Sequence, residues 1–162
     1  QFEAYSERLG ADAPSDVDTF QRLKYSKPDE WSDLKGLYSY KGRVPEATKA
    51  DFQTYKKIKA TGIYGTVRVP AAKIDTSALT LDVAHINERR HGVTQEEAVS
   101  YIKNAAFSLK RRHWTGETFL NYYSEEGASY VRTSDNVIRT SFKKDEFDKK
   151  TKSAMEVLKN GE

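Results

Sequence analysis

Three strand-like runs between residues 118 and 142 constrain the fold of this chain more than any other feature. The runs 118–124, 128–133 and 137–142 are rich in β-branched and aromatic residues, and turn-forming residues separate them. Strands joined by such short turns pair with their neighbours in antiparallel fashion. The pattern therefore predicts an antiparallel meander in the C-terminal half of the chain.

Helical patterns lie on both sides of this meander. Thr94 and Glu97 form a capping box, and apolar residues recur at helical spacing from there to Leu109. A closing helix is expected from about Asp145, with the stripe Phe147, Thr151, Ala154, Met155 and Leu158 on one side. The sequence therefore predicts an α+β fold, in which a helix precedes the meander and another helix follows it.

The N-terminal part of the chain has a different character. Residues 1–19 are acidic and rich in small residues, which is typical of a linker or arm. Residues 20–70 are expected to form a helical extension of short pieces, starting near Pro28 and Pro45 and interrupted at Gly36 and Gly42. Runs 63–69 and 79–83 add two short strand candidates. Residues 71–162 then form the α+β domain.

Composition excludes several classes of protein. The 162 residues include no cysteine, which rules out disulfide scaffolds, thiolate zinc sites and cysteine nucleophiles. Seven Phe, two Trp and ten Tyr are too many aromatic residues for a disordered chain. No run approaches the roughly 18 to 20 apolar residues of a membrane-spanning helix. The start at Gln1, without Met or a signal-peptide pattern, suggests a piece of a longer protein.

Chemically able side chains are densest between residues 84 and 92. His85 and His91 flank Arg89 and Arg90 in one predicted loop. Histidine exchanges a proton near neutral pH, and arginine donors can hold a phosphate. Two proton-transfer groups beside fixed cations suit metal-independent RNA cleavage, in which a ribose 2′-OH attacks the adjacent phosphorus. The cluster is thus compatible with a site that cleaves RNA.

Each histidine also has a purely structural interpretation. His85 could be a satisfied polar residue at a sheet edge, His91 a helix C-cap and His113 part of an exposed basic segment. A metal site is disfavoured, because no carboxylate lies at ligand spacing from the two clustered histidines. The chain also has no Gly-x-Ser-x-Gly turn and no phosphate-binding glycine loop, so no cofactor is expected.

A second group of candidates lies in and beside the predicted strands. Lys110, Arg111 and Arg112 form a basic run in a segment without acids, which is compatible with nucleic-acid binding. Within the run 118–124, alternation places Asn121 and Tyr123 on one face and Tyr122 on the other, so that one tyrosine can stack on a base.

The last strand candidate carries a constraint of its own. Arg139 and Thr140 are adjacent in the run 137–142, so they can face one site only if a bulge intervenes. Without a bulge, Ile138 and Phe142 would be core anchors on the face of Thr140, and Arg139 would point the other way.

The order of these elements resembles a known family. The stretch from His85 to Met155, which opens with HINERRHG and contains NYYSEEGASYVRTSDNVIRTSF, resembles the C-terminal domain of minor head (minor capsid) proteins of phages and prophages of Gram-positive bacteria. That domain is grouped with the barnase–EndoU–colicin–RelE-like (BECR) nucleases. The upstream residues 40–70 resemble the segment that precedes it, so that the resemblance covers most of the chain from about residue 20.

The resemblance implies a compact nuclease fold with helices before a roughly four-stranded antiparallel sheet and metal-independent RNA hydrolase chemistry on that sheet. It implies His85 and His91 as acid and base, with Thr140 donating a hydrogen bond to the phosphate. Arg90 and Arg139 would hold that phosphate. The RNA backbone would follow Lys110, Arg111 and Arg112, and the NYYS strand would supply Asn121 and a stacking Tyr122. No metal is required.

Two alternatives stay open. A non-catalytic phage-head component would use the same basic patch to bind packaged DNA or neighbouring capsid proteins. A toxin delivered into competing cells would instead cut RNA there and would be blocked by an immunity protein. The resemblance places the chain in the virion or in the cytoplasm of a bacterial host, without a membrane partner.

Overall fold

The computed structural model describes residues 21–22, 24–25, 27–82 and 92–160. The chain divides into two compact units, with the division between Gln53 and Thr54. Among the described residues, no helix combines the length and the apolar character needed to cross a bilayer.

The first unit is built on helix α1 (Pro28–Arg43) and the start of helix α2 (Lys49–Ala60). Proline occupies the first turn of α1, where its missing N–H costs no hydrogen bond. Helix α1 continues through Gly36. A Cβ at this position would lie only 2.8 Å from the ring of Phe52 in α2, so the close contact needs a glycine. The interruptions predicted at Gly36 and Gly42 are wrong, because α1 runs through both residues. Gly36 instead allows two helices to approach closely.

The second unit is centred on a six-stranded sheet with strand order β1-β3-β4-β5-β6-β2. The strands are β1 (Thr66–Arg68), β2 (Thr80–Leu81), β3 (Phe107–Arg112), β4 (Thr118–Tyr123), β5 (Gly127–Arg132) and β6 (Val137–Lys143). All pairs are antiparallel except β2 with β6, which is parallel. The predicted α+β class is confirmed, but the sheet has six strands where the resemblance implies about four; β1 and β2 lie within the short strand candidates 63–69 and 79–83.

Two helices of this unit frame the central strands. Helix α3 (Gln95–Lys103) begins at the predicted capping box, in which Thr94 and Glu97 each bond the other's backbone N–H. Helix α4 (Lys149–Asn160) follows the last strand, and Asp148 accepts a hydrogen bond from the Thr151 amide at its start. Both helices lie where the sequence predicts them, although α4 begins four residues later than Asp145.

One segment was assigned to the wrong element. The helical spacing after Thr94 extends to Leu109, but α3 ends at Lys103 and β3 follows. Phe107 and Leu109 are fully buried in the sheet core, and β3 pairs with both β1 and β4. Pairing on both edges satisfies the backbone of this segment as a strand, and this stabilisation outweighs the local helical pattern.

The two faces of the sheet are covered differently. On the first, here called the α3 face, Tyr122, Val131 and Ile138 pack with Ala98, Tyr101 and Ile102 of α3. On the second, here called the cleft face, Phe107, Leu109, Tyr123 and Ala128 pack with Ala154 of α4 and Ile58 of α2. This second cluster covers only part of its face.

Strand β6 contains the bulge on which the sequence argument depends. Tyr130 pairs with Thr140, but the next residue, Val131, pairs with Ile138, so that Arg139 is the extra residue. Ile138 therefore packs on the α3 face, while Phe142 packs on the cleft face. The alternative arrangement, with both as anchors on one face, is wrong because the bulge reverses the alternation between them.

Candidate functional site

The uncovered part of the cleft face forms a cleft of about 720 Å³, here called the sheet cleft. It lies between the β3–β4 hairpin and the bulged strand β6. Its lining combines cations, aromatic rings and a few polar groups: Arg111, Arg112, His113, Trp114, Thr115, Glu117, Phe119, Asn121, Tyr130, Arg139, Thr140, Phe142 and Glu146.

The bulge brings Arg139 and Thr140 to the sheet cleft together. The Arg139 guanidinium donates to Asp82 Oδ2 at 2.6 Å, which anchors one terminal nitrogen just beyond β2. A guanidinium has five N–H donors, so this bond leaves donors for an anion in the cleft. The bulge that Arg139 and Thr140 need in order to face one site is therefore present.

Arg111 forms the opposite cationic wall. Its Nε donates to the Tyr64 carbonyl at 2.6 Å, and its guanidinium lies 5.9 Å from the centre of the Tyr64 ring. These contacts fix the stem and leave the fork of terminal nitrogens as the part that can bind a phosphate. Arg112, the last residue of β3, also lines the cleft and is exposed.

Asn121 forms part of the cleft floor. It is only 2% exposed, and within the described part of the chain its Oδ1 has no hydrogen-bond partner. A buried polar atom without a partner costs about 1 to 3 kcal/mol. A ligand in the cleft could supply the missing donor.

Aromatic rings line the cleft from floor to rim. Tyr130 contacts Phe142 edge to face at 5.3 Å, and its hydroxyl lies 3.1 Å from that of Tyr123. Burial raises the pKa of Tyr130, so it stays a neutral phenol at every physiological pH. Trp114 lies at the rim with 89% of its surface exposed. An exposed indole beside arginines is a good stacking surface for a nucleobase.

The rim is the hairpin loop between β3 and β4. The His113 N–H donates to the Glu117 carbonyl at 2.7 Å, and the Gly116 N–H donates to the His113 carbonyl at 2.9 Å. Gly116 has a φ of 92°, which closes this three-residue loop and favours glycine there. The loop directs the His113 side chain to the cleft.

Two predicted site residues need correction. Lys110 does not line the cleft, because strand alternation puts it on the face opposite to Arg111. Tyr122 is 1% exposed in the cluster of the α3 face, so neither face of its ring is open to a base. Burial also raises the pKa of Tyr122 to about 12.

Three other predicted residues, His85, Arg90 and His91, lie outside the described residues. The remaining ones, Arg111, Arg112, Asn121, Arg139 and Thr140, all meet at the sheet cleft. Within the described ranges, no group of three or more His, Asp or Glu side chains is arranged to hold a metal ion.

Sequence reasoning missed His113, Trp114 and Tyr130. The signal for the first two was available: the run His113 to Glu117 has a glycine where a three-residue hairpin loop needs a positive φ. Read as a hairpin rather than an exposed tail, this run places His113 and Glu117 side by side at one end of the sheet.

Comparisons of the chain with protein-family models, with curated proteins and with solved structures found no match.

Proposed function

We propose that the sheet cleft binds RNA and cleaves it without a metal ion. The observation that carries the proposal is the bulge in β6, which puts Arg139 and Thr140 on the same cleft as Arg111, Arg112 and the Asn121 oxygen, which has no hydrogen-bond partner among the described residues. Phosphate-binding donors, a hydroxyl, this amide oxygen and stacking rings meet there. Together they suit a phosphodiester that carries a base.

In this proposal, the described side chains of the cleft bind the RNA and hold its phosphate. Arg111 and Arg139 lie on opposite walls, and in this proposal they hold the scissile phosphate between them. The Thr140 hydroxyl donates to a non-bridging oxygen. Trp114 stacks on a base at the rim, and Arg112 contacts the next phosphate. Charge that develops on the phosphorane oxygens is offset by the guanidinium groups.

The proposed chemistry is an internal transesterification. A base removes the proton of the ribose 2′-OH, a bond forms between O2′ and phosphorus, and the bond from phosphorus to O5′ breaks. The leaving O5′ takes a proton from an acid. The products are a 2′,3′-cyclic phosphate and a 5′-hydroxyl end. His85 and His91 as acid and base, with Arg90 beside them, belong to this proposal on sequence grounds.

The test is cleavage of a labelled single-stranded RNA by the full chain in EDTA. We expect cyclic-phosphate ends in the wild type and a loss of about 10- to 100-fold in Thr140→Val, which keeps the shape of the side chain but removes its donor. Lys110→Ala is the matched control on the same sheet, because Lys110 lies on the other face. Wild-type protein that cuts no RNA would contradict the proposal.

A second candidate is a binding module without catalysis. The exposed indole of Trp114 favours it, because stacking on single-stranded DNA needs a ring and cations but no proton transfer. In that case the chain would bind DNA with strong salt dependence and leave RNA intact. A setting in a phage head, with packaged DNA or capsid proteins nearby, and the toxin alternative with an immunity partner, also remain proposals that rest on the sequence resemblance.

A further inference from the structure

We propose that His113 is a catalytic base of the sheet cleft and that Thr115 and Glu117 hold its imidazole in the tautomer required. This inference rests on the proposed function, since it names the group that takes the proton of the 2′-OH. It gives the role of base to His113 and leaves the role of acid to one of the two histidines that the sequence singled out, His85 or His91.

The His113 ring is fixed by the hairpin loop and by two aromatic neighbours. It contacts the edge of Phe119 at 5.9 Å and lies 5.2 Å from the Trp114 ring. The side chain itself is exposed, so substrate can reach it. It lines the same cleft as Arg139 and Thr140. An accessible imidazole with a restricted orientation is what general base catalysis requires.

Hydrogen bonds from the loop define which ring nitrogen carries the proton. The Thr115 hydroxyl donates its single hydrogen to Glu117 Oε2 at 3.1 Å. Its oxygen can then only accept from His113 Nδ1, which lies 2.9 Å away. The Thr115 amide lies farther from the same nitrogen, at 3.4 Å, and would need the other tautomer. The shorter contact assigns the proton to Nδ1 and leaves a lone pair on Nε2.

Glu117 is itself held in place. Its Oε1 accepts from Arg132 at 3.3 Å, and Arg132 in turn donates to both oxygens of Asp135 at 3.0 and 2.7 Å. Hydrogen bonds from Arg132 lower the pKa of Asp135, so the Asp135 carboxylate stays ionised. His113, Thr115, Glu117, Arg132 and Asp135 thus form one continuous line of hydrogen bonds. Its Glu117 stabilises the imidazolium that forms during the reaction, as an orienting carboxylate does for other catalytic histidines.

The step balances without a further reactant. Nε2 takes the proton of the 2′-OH, O2′ bonds to phosphorus, and the bond from phosphorus to O5′ breaks as O5′ takes a proton from the acid, which water then reprotonates. The imidazolium then returns its proton to water. The charged residues that line the cleft together with His113 are Arg111, Arg112, Arg139, Glu117 and Glu146. These guanidinium groups stabilise the anionic phosphorane and leave the proton transfer to His113.

The experiment compares kcat for cleavage of a single-stranded RNA in EDTA between wild type and His113→Ala. A general base contributes about 100- to 10,000-fold, so we expect a loss in that range with little change in KM. Adding free imidazole should restore part of the lost rate in His113→Ala, because it replaces the missing base. Arg112→Ala is the matched control, since imidazole cannot replace a guanidinium.

Two positioning variants complete the test. Thr115→Val and Glu117→Gln should each lower kcat less than His113→Ala does, and should shift the acidic limb of the pH–rate profile, which His113→Ala should lose. A merely structural loop would leave the profile unchanged. His113→Gln keeps a polar side chain without a titratable group and guards against a folding defect.

The outcomes separate this inference from the proposed function. If the wild type cuts RNA and His113→Ala cuts it equally well, His113 is not the base, and parallel His85→Ala and His91→Ala variants identify where the base lies. A rate lost in His113→Ala but not rescued by imidazole, with KM raised instead, would likewise overturn the inference. If the wild type cuts no RNA, the proposed function and the inference fail together.

Discussion

The two faces of the sheet differ in what lies over their buried polar groups: the α3 face packs against a helix, whereas part of the cleft face opens on the sheet cleft. On the α3 face, Ser129 donates to the Ala98 carbonyl at 2.7 Å and lies 2.9 Å from the Ser141 hydroxyl. On the cleft face, Asn121 keeps an acceptor that no described residue satisfies. The first pattern joins a helix to a sheet, whereas the second leaves bonding capacity for something outside the fold.

The side chains around the sheet cleft also differ from the apolar cluster of the α3 face. Two arginines of the cleft are anchored by a hydrogen bond from the guanidinium: Arg111 donates from Nε to the Tyr64 carbonyl, and Arg139 donates to Asp82. The cluster of the α3 face consists of apolar and aromatic side chains. In the proposed function, one face stabilises the unit and the other binds the RNA. The following variants test this division.

The largest effect on stability is expected from Ile138→Ala. Ile138 is fully buried in the cluster of the α3 face, and its truncation leaves a cavity beside Val131 and Tyr122. We expect a loss of about 2 to 5 kcal/mol in the free energy of unfolding, measured in urea. A change below about 1 kcal/mol would show that this face does not carry the core.

Ser129→Ala should follow in size. It removes the donor to the Ala98 carbonyl and leaves the Ser141 hydroxyl with one partner fewer. A loss of about 1 to 3 kcal/mol is expected from the unsatisfied groups that remain. Denaturation monitored by circular dichroism measures it, and RNA binding of the folded variant should match that of the wild type.

Asn121→Leu should act in the opposite direction on stability. The substitution has similar volume and removes a buried acceptor without a partner, so we expect a gain of about 1 kcal/mol. The same variant should bind a short RNA several-fold more weakly. If binding is unchanged, Asn121 is a structural residue and the comparison of the faces loses one of its supports.

The smallest effect is expected from Tyr122→Phe. Like the Asn121 oxygen, the Tyr122 hydroxyl is buried and has no hydrogen-bond partner in the described part of the chain. Unlike that oxygen, it lies on the α3 face. Its removal should stabilise the chain by about 1 kcal/mol or less. RNA binding and cleavage should not change, in contrast to Asn121→Leu, and reduced cleavage would mean that the α3 face contributes to the site.

Strand alternation was enough to predict part of this division. It separated Asn121 and Tyr123 from Tyr122, and the structure confirms the separation: Tyr123 packs on the cleft face and Tyr122 on the α3 face. Local periodicity sufficed because β4 is a regular strand paired on both sides without a bulge.

Other features depend on pairing between distant segments, which local patterns do not contain. The bulge at Arg139 is fixed by the register of β6 against β5, and no glycine marks it in the sequence. Strand β3 was hidden because Ala105 and Leu109 continue the helical spacing of α3. The position of Arg111 beside Tyr64 requires β1 and β3 to pair across about forty intervening residues.

Mapping the binding face by NMR tests the central claim most directly. The full chain, labelled with ¹⁵N, would be titrated with a short RNA that carries a 2′-deoxy sugar at every position susceptible to cleavage, so that it binds but is not cut. The account predicts shifts at the amides of Asn121, Tyr130, Arg139 and Thr140 and at the His113 to Glu117 loop, with α3 unaffected. Shifts concentrated on α3 and its face of the sheet, or none at saturating RNA, would contradict it.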